Sequence, residues 1–407
     1  MDFKFSAELD EVRRRTRQFL DANWPKDRRA YAMNDMIARD LPGLERNSAN
    51  VTPEEVREFY RKLGDAGILG IGFPEAYGGS GGGHLARYVV QSELCAAGAP
   101  YPNVGLTMVA PIFMTVGSPD FLAKNLPPLM AGEVEYCVGY TEPSAGTDLA
   151  SLVTRAERDG NHFLINGQKI FSSTAHYADY YFLAARTDPS APKHKGISLF
   201  LLDMKHPGIM VMPLVANSGV RTNIVFLDNV RVPASCLLGN ENEGWKYLTE
   251  ALAFERYASM ASTPLVVGYN ALALDPGLAE MPENSAALAR LRAEVRASDL
   301  LSLNAAWTAE DGRPPIVEAA AAKVAVSETR LALGRAALEM LGPNSLLTEF
   351  NEQAPAGGQF DLMYRHSVIN LFTAGANDVQ RDTIATAGQH LPRSRKSSAK
   401  PTDQGQR

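Results

Sequence analysis

The chain is poor in cysteine. Among its 407 residues only Cys95, Cys137 and Cys236 carry a thiol. Widely spaced and odd in number, they offer neither a disulfide framework nor a cysteine-based zinc site, and they suit a reducing compartment. Excess positive charge is also missing. Lys and Arg total 40 against 46 Asp and Glu, for a net charge of −6. That balance argues against gripping nucleic acid by phosphate neutralisation. No run approaches the ~18 uninterrupted apolar residues of a membrane span. The opening MDFKFSAELDEVRRRTRQFL is charged throughout and lacks an apolar core, so it does not read as a secretory signal. What is present is a globular composition, 45% hydrophobic and 21% charged. At roughly 150 residues per domain, the length allows two or three packed units, and the expected location is the cytoplasm.

The period of the apolar residues divides the chain. Residues 1–132 read as helical: Ser6 can cap a helix carrying Leu9, Val12 and Phe19, and Thr52-Pro53-Glu54-Glu55 forms a capping box with Pro at N1. Val56, Phe59, Tyr60 and Leu63 follow at helical spacing. Between 133 and 240, strand-like runs are expected at 162–166, 169–173, 180–186, 197–203, 209–214 and 223–232, with Asn166-Gly167 as a two-residue hairpin. Short turns and no intervening helices predict a small antiparallel barrel or sandwich. From 241 to 391 helical spacing returns, with long helices over 244–273, 286–309 and 316–341 and a fourth within 361–388. Gly342-Pro343 stops the third, and long helices with short links favour a bundle. The polar, basic tail 392–407 reads as disordered.

Several motifs fail on context. Gly78-Gly79-Ser80-Gly81-Gly82 matches G-x-S-x-G, but Pro and Gly precede it where a nucleophile elbow needs a buried strand. No G-x-G-x-x-G lies between strand and helix, and no P-loop is present. The histidines never fall at metal-ligand spacing along a helix.

The informative stretch runs from Val138 to Ser151, VGYTEPSAGTDLAS. It places hydroxyls, small residues and two carboxylates where helix gives way to strand. Its backbone N–H groups and threonines could approach a phosphate or a flavin carbonyl; the same residues also make an ordinary N-cap and turn cluster. Residue chemistry alone leaves both readings open.

This stretch resembles the first signature of the acyl-CoA dehydrogenase family, departing mainly at Tyr140, where a small aliphatic residue is usual. Further segments follow in family order: Phe73-Pro-Glu-Ala-Tyr-Gly-Gly, Ile165-Asn-Gly-Gln-Lys-Ile-Phe, Ala178-Asp, Val232-Pro233, Gly239-Asn-Glu-Asn-Glu-Gly-Trp, Phe254-Glu-Arg and Gln380-Arg381. Together they cover roughly residues 1–393. The resemblance implies an α+β fold with an N-terminal helical domain (1–132), a middle antiparallel β-barrel domain contacting flavin (133–240) and a C-terminal four-helix bundle (241–391). It implies FAD as cofactor. Thr141 would bond its pyrimidine edge and Thr147 its pyrophosphate, with Tyr140 and Gly146 lining the pocket. Phe171 stands where the family usually has Trp against the flavin face, and Ser173 where it has Thr near N5. Gly375 and Asn377 belong to the C-terminal cofactor-contacting run.

Oxidising an acyl thioester at Cα–Cβ requires a carboxylate base held in an apolar pocket that moves its pKa toward neutrality. Many family members carry that Glu in a C-terminal Glu-Gly-Thr run; here Ala374 occupies its place. Isovaleryl- and long-chain-type members carry it on the first bundle helix in a Glu-Arg pair, matched by Glu255-Arg256. The resemblance thus implies Glu255 as base, with Arg256 and Tyr257 beside the substrate. The usual Arg-x-x-Phe-Gly stretch is replaced by Leu274-Asp275-Pro276. This replacement and the Gly375-Ala376 pair resemble a bacterial branch handling steroid side chains and other bulky acyl-CoAs, some of them α2β2 heterotetramers. The expectation is an FAD-dependent acyl-CoA dehydrogenase, homotetrameric or α2β2, passing electrons to an electron-transfer flavoprotein. The rivals are a non-catalytic or FAD-sharing subunit, an oxidase or monooxygenase on the same fold, and, last, an esterase at Ser80.

Overall fold

The computed structural model describes residues 5–26, 52–101, 104–259, 262–275, 278, 281–348 and 351–392, without the side chains of 257–259. The helix signals in the first segment act as expected. Ser6 accepts from the backbone of Leu9 to start α1 (Ala7–Asn23), and the reciprocal Thr52–Glu55 box starts α2 (Pro53–Asp65). The buried stripe of α2 (Val56, Phe59, Tyr60, Leu63) meets Trp24, whose ring lies 4.9 Å from that of Phe59. Three more helices follow, α3 (Gly83–Ala96), α4 (Ala110–Val116) and α5 (Pro119–Met130).

Strands then take over: β1 (Tyr136–Gly139), β2 (Arg155–Asp159), β3 (His162–Lys169), β4 (Tyr180–Arg186), β5 (Ile197–Asp203), β6 (Ile209–Val215), β7 (Arg221–Pro233) and β8 (Leu237–Leu238). They form one sheet in the order β6-β7-β3-β2-β4-β5-β8, with β1 parallel to β4. The sheet is mixed and unclosed, which corrects the antiparallel barrel. Its path ends at β6 and β8 without joining them, and the β2–β4 contact is a single parallel pair. Two local expectations also fail. Asn166-Gly167 lies within β3 at a register shift against β7, and the hairpin turn falls at Gly160-Asn161 between β2 and β3. Residues 170–173 leave the sheet as an irregular segment.

The last part holds α6 (Gly244–Ser259), α7 (Thr263–Ala273), α8 (Ser285–Glu310), α9 (Ile316–Leu341), α10 (Gln359–Asn370) and α11 (Asn377–Thr383). The helix expected over 244–273 is thus two, and Pro264 near the start of α7 restarts the count. The stretch 361–388, expected to contain one helix, carries two, parted where Ala374 and Gly375 take φ of 51° and 87°. Gly342 ends α9 with φ 58°, as the Gly-Pro signal predicts. The tail from Arg393 onward lies outside the described residues.

One apolar cluster joins the three parts. Leu63 and Phe113 from the N-terminal helices, Phe182 from β4, and Leu248 from α6 are all 0% exposed within it. Burying each such side chain contributes about 1.5–3 kcal/mol. Polar ties reinforce the docking: Tyr88 of α3 donates to Asp299 of α8 (3.2 Å), and Leu85 N donates to Glu310 (3.0 Å). The signature stretch and α6 are therefore held against the same core.

Candidate active site

The signature stretch leaves the C-terminal end of β1. Thr141 O accepts from Ile170 N at 2.9 Å, which continues the sheet by one bond, and Glu142 and Ala145 exchange backbone hydrogen bonds of 3.0 and 3.1 Å in a tight turn. Beneath that turn lies a buried ion pair. Lys169 Nζ donates to Glu142 at 2.7 Å and to Tyr140 O at 3.1 Å, and Glu142 also accepts from Val153 N (2.7 Å) and Thr154 N (2.9 Å). Burial alone would raise the Glu142 carboxyl; the Lys169 cation and these donors hold it below the usual carboxylate range. Arg186 ties the far end, donating to Ala150 O at 2.6 Å and Lys195 O at 2.8 Å. The turn itself stays open. Gly146 and Thr147 are exposed, and a Cβ built on Gly146 would meet nothing within 4 Å.

The segment after β3 is strained. Phe171 and Thr174 take φ of 61° and 65°, a region that bulky L-residues avoid, and Phe171 is 59% exposed. The surroundings enforce this shape: Ser172 N donates to Asn223 O (3.0 Å), Asn223 Nδ2 donates to Ser172 O (2.9 Å), and the Ser172 hydroxyl pairs with Tyr181 OH (2.8 Å). Ser173 lies between, its Oγ 3.5 Å from that of Thr222. Residues held in sparsely populated backbone states cluster at functional sites.

The third wall is α6. Leu248 and Ala251 are fully buried on its inner face, and Glu255 follows one turn on along the same stripe. Burial pushes the Glu255 carboxyl up to about 7, against the pull of Arg256 and Lys323. Arg256 Nε donates to Ala374 O at 3.1 Å, binding α6 to the loop before α11. In that loop a Cβ on Gly375 would stand 2.4 Å from Gln380 Nε2, and Gln380, itself 0% exposed, has no partner for either amide atom among the described residues. From α9, Lys323 donates to Leu371 O (3.2 Å) and to Asn377 Oδ1, and burial lowers its pKa to about 8.

The structure therefore brings Tyr140, Glu255, Arg256 and Gly375 toward one region. The Asn377 side chain bonds to Lys323, Ser327 and Glu328. Tyr257 stands on α6 with its side chain outside the described residues. Sequence reasoning missed Lys169 and Lys323. A signal existed for the second: it sits at helical spacing with Ala319, Ala320 and Ser327, all buried. Among the described residues no His, Cys, Asp and Glu cluster could hold a metal ion, and no helix is long and apolar enough to cross a membrane.

The N-terminal, middle and C-terminal domain models of acyl-CoA dehydrogenase match residues 6–133, 137–230 and 242–389. Acyl-CoA dehydrogenase FadE29 of Mycobacterium tuberculosis is 38% identical over 353 residues, covering 83% of this chain and 89% of its own. FadE26 of the same organism is 32% identical over 408 residues, covering 97% and 99%. Among solved structures, a chain of the Tcur3481-Tcur3483 steroid ACAD superposes with a TM-score of 0.87 at 35% identity, covering 97% of this chain and 100% of that one. A chain of the ChsE4-ChsE5 complex from Mycobacterium tuberculosis gives 0.84 at 31%, with coverage of 97% and 100%. The chain belongs to the acyl-CoA dehydrogenase family of flavoprotein oxidoreductases that act on CH–CH bonds.

Proposed function

We propose that this chain desaturates a bulky, branched or ring-bearing acyl-CoA to its trans-2-enoyl thioester, with Glu255 as the base that removes the α-proton. The observation that carries the reading is the Glu255 carboxyl, raised by burial to about 7, while Ala374 occupies the alternative position for the acid. Near neutral pH such a group is available as carboxylate and strong enough to accept a proton. Arg256, beside it and bonded to Ala374 O, sets one side of the pocket, and Tyr257 follows on the same helix.

The residues present fit FAD. The open turn at Gly146-Thr147 and the exposed Phe171 face offer surface, and the Tyr140 hydroxyl and Gln380 amide atoms, without partners among the described residues, offer hydrogen bonds. Thr141 and Thr147 would hold the cofactor's polar groups, Phe171 would cover its face, and Gly375 would admit close approach. When bound, FAD supplies the acceptor for the β-hydride. An electron-transfer flavoprotein is the proposed onward acceptor. Similarity to a steroid ACAD supports a bulky acyl group.

The paired names of those complexes favour a second reading, in which this chain shares its FAD site with a different chain in an α2β2 assembly. Purified alone, it would then hold little FAD and gain it when its partner is added. The central test is Glu255→Gln: the protein should stay yellow, yet bulky acyl-CoA should no longer bleach its flavin. Bleaching at the parent rate would refute Glu255 as base.

A further inference from the structure

Lys169 is the last residue of β3 and is 0% exposed; the strained segment Phe171–Thr174 begins two residues later. From that place it reaches the signature stretch. Its ammonium donates to Tyr140 O at 3.1 Å and to the Glu142 carboxylate at 2.7 Å, on either side of Thr141. The next backbone group, Ile170 N, donates to Thr141 O at 2.9 Å. Signature residues 140–142 are thus held by residues 169 and 170 at the end of the strand. Glu142 carries the hold further. Its carboxylate accepts from Val153 N and Thr154 N at 2.7 and 2.9 Å, so it draws together both ends of the loop 142–154, whose exposed middle is Gly146-Thr147.

Stability does not explain why this junction is ionic. A buried pair can often be replaced by well-packed apolar side chains at no loss, because the cost of taking two charges out of water offsets their attraction. What an ion pair with further hydrogen bonds adds is direction, since each donor and acceptor is held in a fixed geometry. We infer that Lys169 is a positioning residue for the cofactor: by gripping Tyr140 O and Glu142 it fixes Thr141, and with it the Gly146-Thr147 turn, relative to the Phe171 segment. This rests on the reading of Thr141 as a contact of FAD. With no exposed surface, Lys169 acts through the residues it holds and not by touching the cofactor.

The test follows FAD release from the diluted FAD-loaded protein by the rise of flavin fluorescence. It uses Lys169→Met/Glu142→Gln, in which no ion is left buried and the new amide oxygen can still accept from Val153 N and Thr154 N. That variant should unfold close to the parent yet release FAD about tenfold faster, the scale of one hydrogen bond lost. Its visible flavin band should shift as that of Thr141→Val does. In the parent, Thr141→Val should speed release by a similar factor; added to the double variant it should change little, because the hydroxyl is already out of place. The same cycle on Lys169→Met alone, run well below its melting temperature, covers a double variant that folds poorly. Release at the parent rate without the ion pair, or an equal Thr141→Val factor in both backgrounds, overturns the proposal and leaves the pair a structural role only. Thr141→Val releasing FAD at the parent rate is a distinct result: it refutes the reading of Thr141 itself, and the proposal falls with it.

Discussion

Replacing Lys169 by Met removes the cation from a pair with almost no solvent contact. The Lys169 and Glu142 side chains are 0% and 2% exposed and meet at 2.7 Å. Breaking such a pair from one side strands a charge, at a cost of about 3–5 kcal/mol. The structure places this case near the lower end. Glu142 would keep Val153 N and Thr154 N as donors at 2.7 and 2.9 Å, and hydrogen bonds to a charged group are each worth about 1.5–3 kcal/mol. Tyr140 O would also lose its donor. The expected loss is therefore about 3–4 kcal/mol. Urea unfolding of the FAD-loaded protein, followed by tryptophan and flavin fluorescence, measures it. The double variant Lys169→Met/Glu142→Gln should recover most of the loss, because no ion is then left buried. The pH dependence has a definite sign. The folded-state pKa of Glu142 is lowered, so its contribution is complete above the ordinary value of 4.5 and fades as pH falls through the folded value. The gap between parent and Lys169→Met should narrow over that acid range. A single variant as stable as the parent, or a double variant no better than the single, refutes the reasoning.

Two other substitutions bear on the C-terminal wall. Gly375→Ala puts a Cβ 2.4 Å from Gln380 Nε2 at a φ of 87°, so about 1–3 kcal/mol of local strain should appear as a lower flavin-to-protein absorbance ratio and an earlier melt; unchanged values of both would show that the loop gives way freely. Lys323→Met removes a cation that pulls the Glu255 pKa down from the level that burial sets, so the acid limb of the rate profile should move to higher pH. A limb that stays near pH 7 would show that Arg256 alone controls the carboxyl.

Much of this was legible in the sequence, for reasons that differ by element. The Thr52–Glu55 box, the Ser6 cap and the Gly342 stop are local chemistry, decided by residues within one turn, and each acts as expected. β2 was not legible. Its Arg-Ala-Glu-Arg-Asp has one apolar residue, and it is a strand because β3 pairs with it along five residues. Asn166-Gly167 misled because the same residues serve a turn or a bulge. Here the glycine is required by packing, since a Cβ would lie 2.5 Å from Thr154 Oγ1. Barrel closure was likewise beyond reach, because short strands with tight turns suit an open sheet equally well. At the site, the motif residues of the signature and Glu255-Arg256 could be found from their order along the chain. Lys169 and Lys323 could not be assigned roles, because a lysine reads as surface until its partner is known. That partner is Glu142 in one case and Asn377 with Leu371 O in the other.

The bond from Arg256 to Ala374 O has a mechanical meaning. The guanidinium belongs to the residue right after Glu255, and the carbonyl it holds belongs to a loop whose next residue is pressed against Gln380. Lys323 grips the same loop at Leu371 O. The carboxylate's helix, the loop and α9 are thus fastened as one strut, and a push on any of them is felt by all three. The exposed Gly146-Thr147 turn and the Phe171 ring have no such fastening to that strut among the described residues.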